Sequence, residues 1–195
     1  MYVRGILRFI KELFRFNFVH YKVKLGKNVR IDHFTIIEHN VEIGNNTWIG
    51  SWVHIRPDTK IGHDSEIRNY CYISGHKMVI GNYTKICQKA NIGGGIKIGN
   101  RCFIAPGIST ANTKRMDHQR TVPGYIWECP VIEDGVQTGT NVTILPGVTL
   151  AKDCYIGGGA VVTKDTESYG VYVGNPARKI KELPVEERLP DILEE

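Results

Sequence analysis

The sequence predicts an all-β solenoid, a parallel β-helix of stacked six-residue units, and three observations predict it. Ile31, Ile37, Ile43, Ile49, Ile55, Ile61, Ile67 and Ile73 stand six residues apart, with Leu25 one step earlier. Neither the helix period of 3.6 nor the strand alternation of 2 produces that lattice, whereas short strands stacked coil upon coil around a narrow apolar interior do. The fifth position of each unit is small or β-branched: Val29, Thr35, Val41, Thr47, Val53, Thr59, Ser65 and Cys71. Between units stand turn formers, as in Gly44-Asn45-Asn46, Pro57-Asp58 and Gly62-His63-Asp64. Pleating turns the first and fifth residues inward, and the corners demand residues that tolerate turn or left-handed backbone angles.

Taken in order, residues 1–20 read as an amphipathic helix that caps the solenoid. Val3, Ile6, Leu7, Ile10, Leu13 and Phe14 form one stripe, and Arg4, Arg8, Lys11 and Arg15 recur on another face. Its work is to close an end that otherwise exposes apolar interior and unpaired strand edges. The same pattern also suits a weaker contact with an anionic membrane surface. Residues 21–167 form the β-helix. Its frame slips by one residue at Gly75–Val79 and resumes at Ile80, Ile86, Ile92, Ile98 and Ile104. A loop insertion at 110–129 breaks the lattice, which returns at Ile132, Thr138, Ile144, Leu150, Ile156 and Val162. About twenty units at three per coil give six to seven coils. A tail from 168 to 195 leaves the lattice, with Glu182–Glu195 ending as a short helix or a frayed end.

The bulk numbers exclude several functions. A net charge of +5 spread along 195 residues suits anionic small molecules and falls short of the concentrated basic stripe that reads nucleic acid. The five cysteines, Cys71, Cys87, Cys102, Cys129 and Cys154, contain no CxxC pair; reduced core thiols of a cytoplasmic protein are expected. No apolar run approaches the ~20 residues of a membrane span, and no signal core precedes the repeat.

Long loops on rigid scaffolds concentrate chemistry. The 110–129 insertion carries Asn112, Lys114, Arg115, Asp117, His118, Arg120, Tyr125, Trp127 and Glu128. Beyond it the closing run Ile156-Gly157-Gly158-Gly159-Ala160-Val161-Val162-Thr163-Lys164-Asp165, and then Val173-Gly174-Asn175-Pro176-Ala177-Arg178, resemble the hexapeptide-repeat acyltransferases. The resemblance covers roughly residues 25–180. It implies a left-handed β-helix, a homotrimer, and acetyl-coenzyme A as cosubstrate in the groove between neighbouring prisms, with no metal. Thr138, Gly139, Gly157, Gly158 and Ala160 present backbone along which a thin pantetheine arm can lie, and Lys164, Arg178 and Lys179 are the cations for the coenzyme's phosphates.

Within that superfamily, Phe103–Asn112 is most similar to the sugar N-acetyltransferases, which acetylate an amino group on a nucleotide-linked sugar. The resemblance gives Asn112 the orienting of the amine, with no side-chain base required. Where that family has Thr-Asn this chain has Ala111-Asn112, and Thr113-Lys114-Arg115 replaces its Pro-Arg. Lys114 and Arg115, with His76 at the slip and Gln88 and Asn91 in the coil before the loop, are the acceptor-binding candidates. The alternative is sugar O-acetylation, in which His118 serves as general base for a hydroxyl. More remote are a γ-type carbonic anhydrase, prompted by His33, His39, His54, His63 and His76, and a non-catalytic trimeric scaffold. Zinc hydration needs three converging ligands, and His33 and His39 occupy different faces.

Overall fold

A computed structural model describes residues 16–115, 118, 124 and 126–190. The capping helix expected over the first residues therefore lies outside the described residues, as do Asp117, Arg120 and Tyr125. What is described is the expected parallel β-helix. Its strands are mostly two residues long, one side chain outward and one inward, and they stack in register into three sheets of eight, seven and nine strands among the described residues.

The first face begins at Phe18–Val19 and rises through Ile36–Ile37, His54–Ile55, Tyr72–Ile73, Asn91–Ile92, Ser109–Thr110, Thr143–Ile144 and Val161–Val162. The second runs from Lys24–Leu25 to Thr149–Leu150, the third from Arg30–Ile31 to Tyr155–Ile156 and beyond. The inward members, Ile37 to Ile156, are almost all fully buried and form one continuous core. Burying an aliphatic side chain stabilises by ~1.5–3 kcal/mol, so this column is the main source of fold stability.

The fifth-position residues line the corners from inside. Thr35, Thr47 and Thr84 donate their hydroxyls to the carbonyls of Gly50, Gly62 and Gly99 at 2.7–2.8 Å. Cys71 and Cys102 take the same slots, their thiols directed at the Cys87 and Glu133 carbonyls at 3.1 Å. All five cysteines are free, and every one but Cys129 is buried.

Three features of the structure differ from the expectation. The first face has eight strands rather than the six to seven coils the repeat count allows. The solenoid already starts at Phe18, inside the segment assigned to the cap, because Phe18 and Val19 pair in register with Ile36 and Ile37. The tail does not leave the prism at once either. Gly170–Val173 adds to the third face parallel to Tyr155–Ile156, and Arg178–Glu182 then turns back antiparallel on it. Tyr172 closes the core there, its hydroxyl accepting from the Glu167 amide at 2.8 Å. A short 3₁₀ turn, Val185–Glu187, follows.

Candidate functional site

The two faults in the lattice lie on one corner, the one joining the first face to the second. In the lower coils that corner is regular: Asn40 and Asp58 sit at left-handed angles, the Asn40 amide donating to Asp58 Oδ1 at 3.2 Å. One coil higher, Gly75, His76 and Lys77 all take positive φ, which absorbs the extra residue. The strand Met78–Ile80 then rejoins Thr59–Ile61 in register. The next coil turns this corner with Gly93-Gly94-Gly95, and the one above leaves the prism at Ala111 and returns at Pro130. Across the insertion, stacked residues such as Asn100 and Asp134 are 34 apart in sequence, against 18 for Lys27 and Asn45 in the regular coils. His76, Gly94 and Asn112 are successive members of one column, each a full coil above the last.

The insertion starts as an antiparallel pair, Thr113–Arg115 with Ile126–Trp127. Asn112 roots it: Nδ2 donates to the Gly94 carbonyl at 2.9 Å, and Oδ1 accepts from the Thr113 hydroxyl at 3.3 Å. The Cys129 thiol meets the same Gly94 carbonyl at 3.3 Å, and partial burial pushes that thiol up. Trp127 is half-exposed and stands edge-on to the His76 ring, with centroids 4.5 Å apart. Lys114 and Glu128 pair across the strands at 2.9 Å in the open, a contact of modest strength. Above them the Gly147 amide donates to the Glu128 carbonyl at 2.7 Å. His76 and Trp127 thus pack beside a glycine turn whose middle member, Gly94, is buried, with the exposed Lys114–Glu128 pair next to them.

The structure gathers some of the sequence candidates and disperses others. His76, Asn112 and Lys114 share this corner, and Lys164 joins them from two coils above Glu128 on the same column. Arg115 ends its strand exposed, and His118 lies exposed in a turn. Asn91 projects from the first face between Tyr72 and Ser109, facing solvent beside the site. Gln88 is around the far corner of that face.

The coenzyme set divides. Thr138 is buried, its hydroxyl accepting from the Ala105 amide at 3.1 Å, and Ala160 is fully enclosed, so both are core residues. Gly139 is glycine because a side chain there would strike the Gly158 backbone, and a Cβ on Gly157 would lie 2.8 Å from Val173 Cγ1. Coil stacking thus accounts for these four. Lys179 bonds Glu167 at 2.6 Å and Glu182 at 3.4 Å, contacts that hold its ammonium above the ordinary range, so its charge is already answered. Gly158 and Gly159 do present open backbone, and Lys164 flanks the other end of the same strand, Val161–Val162. Arg178 is exposed nearby, one guanidinium N–H donating to the Ala177 carbonyl at 2.9 Å. An extended anionic substrate lying across this strand would meet glycine backbone and Arg178 at one end and Lys164 at the other.

Sequence reasoning missed Gly93–Gly95 as the turn whose Gly94 carbonyl holds Asn112. The available signal is three consecutive glycines one coil after Gly75-His76-Lys77. A Cβ on Gly93 or Gly94 would lie 3.2 and 3.1 Å from its nearest atom, tight but less so than the 2.6 Å met at the stacking glycine Gly26.

Residues 40–75 and 129–164, the coils on either side of this corner's insertion, match the family described as bacterial transferase hexapeptide (six repeats). The "Probable macrolide acetyltransferase" of Lysinibacillus sphaericus is 34% identical over 122 residues, covering 52% of this chain and 68% of that protein. The galactoside O-acetyltransferase of Escherichia coli K12 is 34% identical over 90 residues, 45% of this chain and 44% of that one. The chain spans less than half the length of the first curated relatives it matches. Among solved structures, the UDP-N-acetylglucosamine acyltransferase from Campylobacter jejuni superposes with a TM-score of 0.59 at 18% identity, covering 85% of this chain and 73% of that chain. That likeness is one of fold.

Proposed function

Because the chain belongs to the hexapeptide-repeat acyltransferase superfamily, we propose that it moves an acetyl group from acetyl-coenzyme A to the amino group of a nucleotide-linked sugar. The observation that carries this reading is the column His76, Gly94, Asn112, where slip, glycine turn and loop root converge. The Asn112 amide is held by the Gly94 carbonyl, so its Oδ1 is fixed in direction. One lone pair of that oxygen takes the Thr113 hydroxyl, and the other accepts an N–H of the incoming amine.

The neutral amine attacks the thioester carbonyl. A C–N bond forms, the C–S bond breaks, the nitrogen's extra proton leaves to solvent or to the departing thiolate, and backbone N–H groups hold the oxyanion. Gly158, Gly159 and Lys164 receive the coenzyme, and the exposed Arg115 receives the acceptor's phosphates.

A second reading is favoured by His76 itself. His76 is held against Trp127 at the corner where Asn112 roots the insertion, which positions its imidazole to deprotonate a hydroxyl, as sugar O-acetylation requires. Coenzyme A release measured over a panel of nucleotide amino sugars and plain glycosides decides between them. The amine reading expects turnover only with amino sugars and a loss of about a hundredfold in kcat for Asn112→Ala, with His76→Ala and His118→Ala within about tenfold. Turnover of plain glycosides, abolished by His76→Ala, overturns it in favour of the second reading.

A further inference from the structure

The corner joining the second face to the third carries a left-handed position in each coil, filled in turn by Asn28, Asn46, Asp64, Tyr83, Arg101, Gly135, Asp153 and Tyr169. The two aspartates of this column stand in opposite surroundings. Asp64 is exposed and well partnered: Oδ2 meets His63 Nδ1 at 2.8 Å, and Oδ1 accepts from the Asn46 amide at 3.1 Å. The His63 contact holds its carboxyl below the usual range. Asp153 is only 1% exposed. Its Oδ2 accepts from the Leu189 amide at 2.7 Å. Its Oδ1, among the described residues, is the one buried side-chain nitrogen or oxygen with no hydrogen-bond partner.

The segment that reaches Asp153 is the far end of the chain. After the outer strand Arg178–Glu182, the backbone returns to this corner as a strap from Leu183 to Leu189. One seat is Tyr169, whose carbonyl accepts the Leu183 amide at 2.6 Å. The Arg188 guanidinium lies 4.2 Å over the Tyr169 ring and donates through Nε to the Leu183 carbonyl at 2.9 Å. The other seat is Asp153 itself. A Cβ on Gly135 would lie 2.6 Å from Leu189 Cδ1 and 2.8 Å from Asp153 Oδ1, so a leucine methyl and the unpaired oxygen crowd the same space over that buried glycine. Between the seats, the turn Val185–Glu187 buries none of its residues.

That second seat is a poor one for a carboxylate. An ion taken out of water needs partners for both oxygens, and an unpaired charged group costs more than an unpaired neutral one. Lifting the strap returns both oxygens to water, so the closed position carries an electrostatic penalty that opening removes. The prism beneath does not share it, since Gly170–Val173 pairs with Tyr155–Ile156 on one side and with Arg178–Glu182 on the other. The strap is therefore free to open while the coils stay folded.

We propose that Leu183–Leu189 is a conformational strap closed over Asp153 and poised to open locally, with the buried carboxylate as its spring. The inference is independent of the acetyl acceptor and of the coenzyme.

The test is amide hydrogen exchange of the full chain, read residue by residue. In the wild type the Leu189 amide is expected to exchange at least about tenfold faster than the amides of Gly170–Val173. Asp153→Asn accepts the left-handed angle, keeps an oxygen for the Leu189 amide and removes the charge. It is expected to slow Leu189 exchange about fivefold or more, with an unlowered Tm. Arg188→Ala removes the contacts at Tyr169 and is expected to speed Leu189 exchange about tenfold while Gly170–Val173 is unchanged. A wild-type Leu189 amide as slow as the strand means that the strap opens only with the prism, and overturns the proposal. So does an Asp153→Asn variant whose Leu189 exchange is unchanged or faster, because the charge then holds the strap shut. An Arg188→Ala variant with no acceleration, or with equal acceleration in the strand, also overturns it.

Discussion

Two corners of the prism use the same residue types, glycine and asparagine, for different work. Where the second face turns into the third, Gly26, Gly44, Gly62, Gly81 and Gly99 stand in one column. A Cβ on Gly44 or Gly62 would lie 2.5–2.6 Å from backbone atoms of the next coil. Beside them Asn45, Asn82, Asn100 and Asp134 each accept, through Oδ1, the amide of the coil below at 2.7–3.0 Å. Where the first face turns into the second, a Cβ on Gly93 or Gly94 would be tight rather than blocked, at 3.2 and 3.1 Å, and Asn112 donates to a carbonyl instead of accepting from an amide. The first corner repeats a contact that closes the stack; the second interrupts the repeat and roots the insertion. Residue type does not separate structure from site here, but the recurrence of the same partner in every coil does.

The sharpest way to break that contrast is a pair of alanines. Gly62→Ala puts a methyl carbon 2.6 Å from the Asn82 nitrogen, where both sides are backbone and neither can give. A loss of about 3 kcal/mol in chemical denaturation, or failure to fold, is expected. Gly94→Ala meets the His76 Cβ at 3.1 Å and the Gly75 carbonyl at 3.2 Å, which asks a shift of about a few tenths of an ångström. It is expected to cost under about 1 kcal/mol while raising KM for the acceptor. Equal losses in the two variants would erase the distinction.

The asparagines give the next test. Asn112→Ala is expected to lower kcat about a hundredfold, about 2.7 kcal/mol of barrier, with little change in Tm. Asn82→Ala strips the His63 amide of its acceptor at 3.0 Å and is expected to cost about 1–2 kcal/mol of stability with kcat unchanged. Steady-state kinetics and denaturation on the same two proteins check both arms. A stability loss in Asn112→Ala matching that of Asn82→Ala would make Asn112 one more rung of a structural column.

The contrast also explains what is legible in the sequence. Ile31 to Ile73 announce the stacked strands because every coil imposes the same steric demand on its inward positions. The slip at His76 and the break after Ser109 are visible as departures from period six. Their meeting at one corner appears only with the period of a whole coil, which aligns His76 with Gly94 and Asn112. Glycine-rich surroundings draw Thr138 and Ala160 toward the coenzyme, yet both obey the lattice and are core. Charge alone points to Lys179, and its partners Glu167 and Glu182 come from segments whose pairing no local pattern reveals. Asp153 reads as one more acid at a turn position; its burial becomes visible only when the end of the chain returns to that corner.

The cysteines supply the finest version of the comparison, because they occupy both kinds of place. Burial pushes Cys102 up to about 12 and Cys71 and Cys154 up to about 11, whereas Cys129, at the site corner, is only partly enclosed. Since the thiolate is the reacting form, a disulfide reagent added to the native protein is expected to modify Cys129 first and the buried thiols only on unfolding. Each buried thiol keeps its proton in the fold above the pH at which the unfolded chain releases it. Stability is therefore whole below about pH 9 and declines toward pH 11–12, by up to about 1.4 kcal/mol per pH unit for each such group. Cys102 fills the slot that Thr84 fills one coil below, where it accepts the Cys102 amide at 3.1 Å. Cys102→Thr should thus cost under about 1 kcal/mol at neutral pH and make the alkaline decline shallower, since a hydroxyl has no proton to lose there. An unchanged alkaline slope would mean that the core thiols do not govern it, and that the corner slots tolerate sulfur without any consequence for stability.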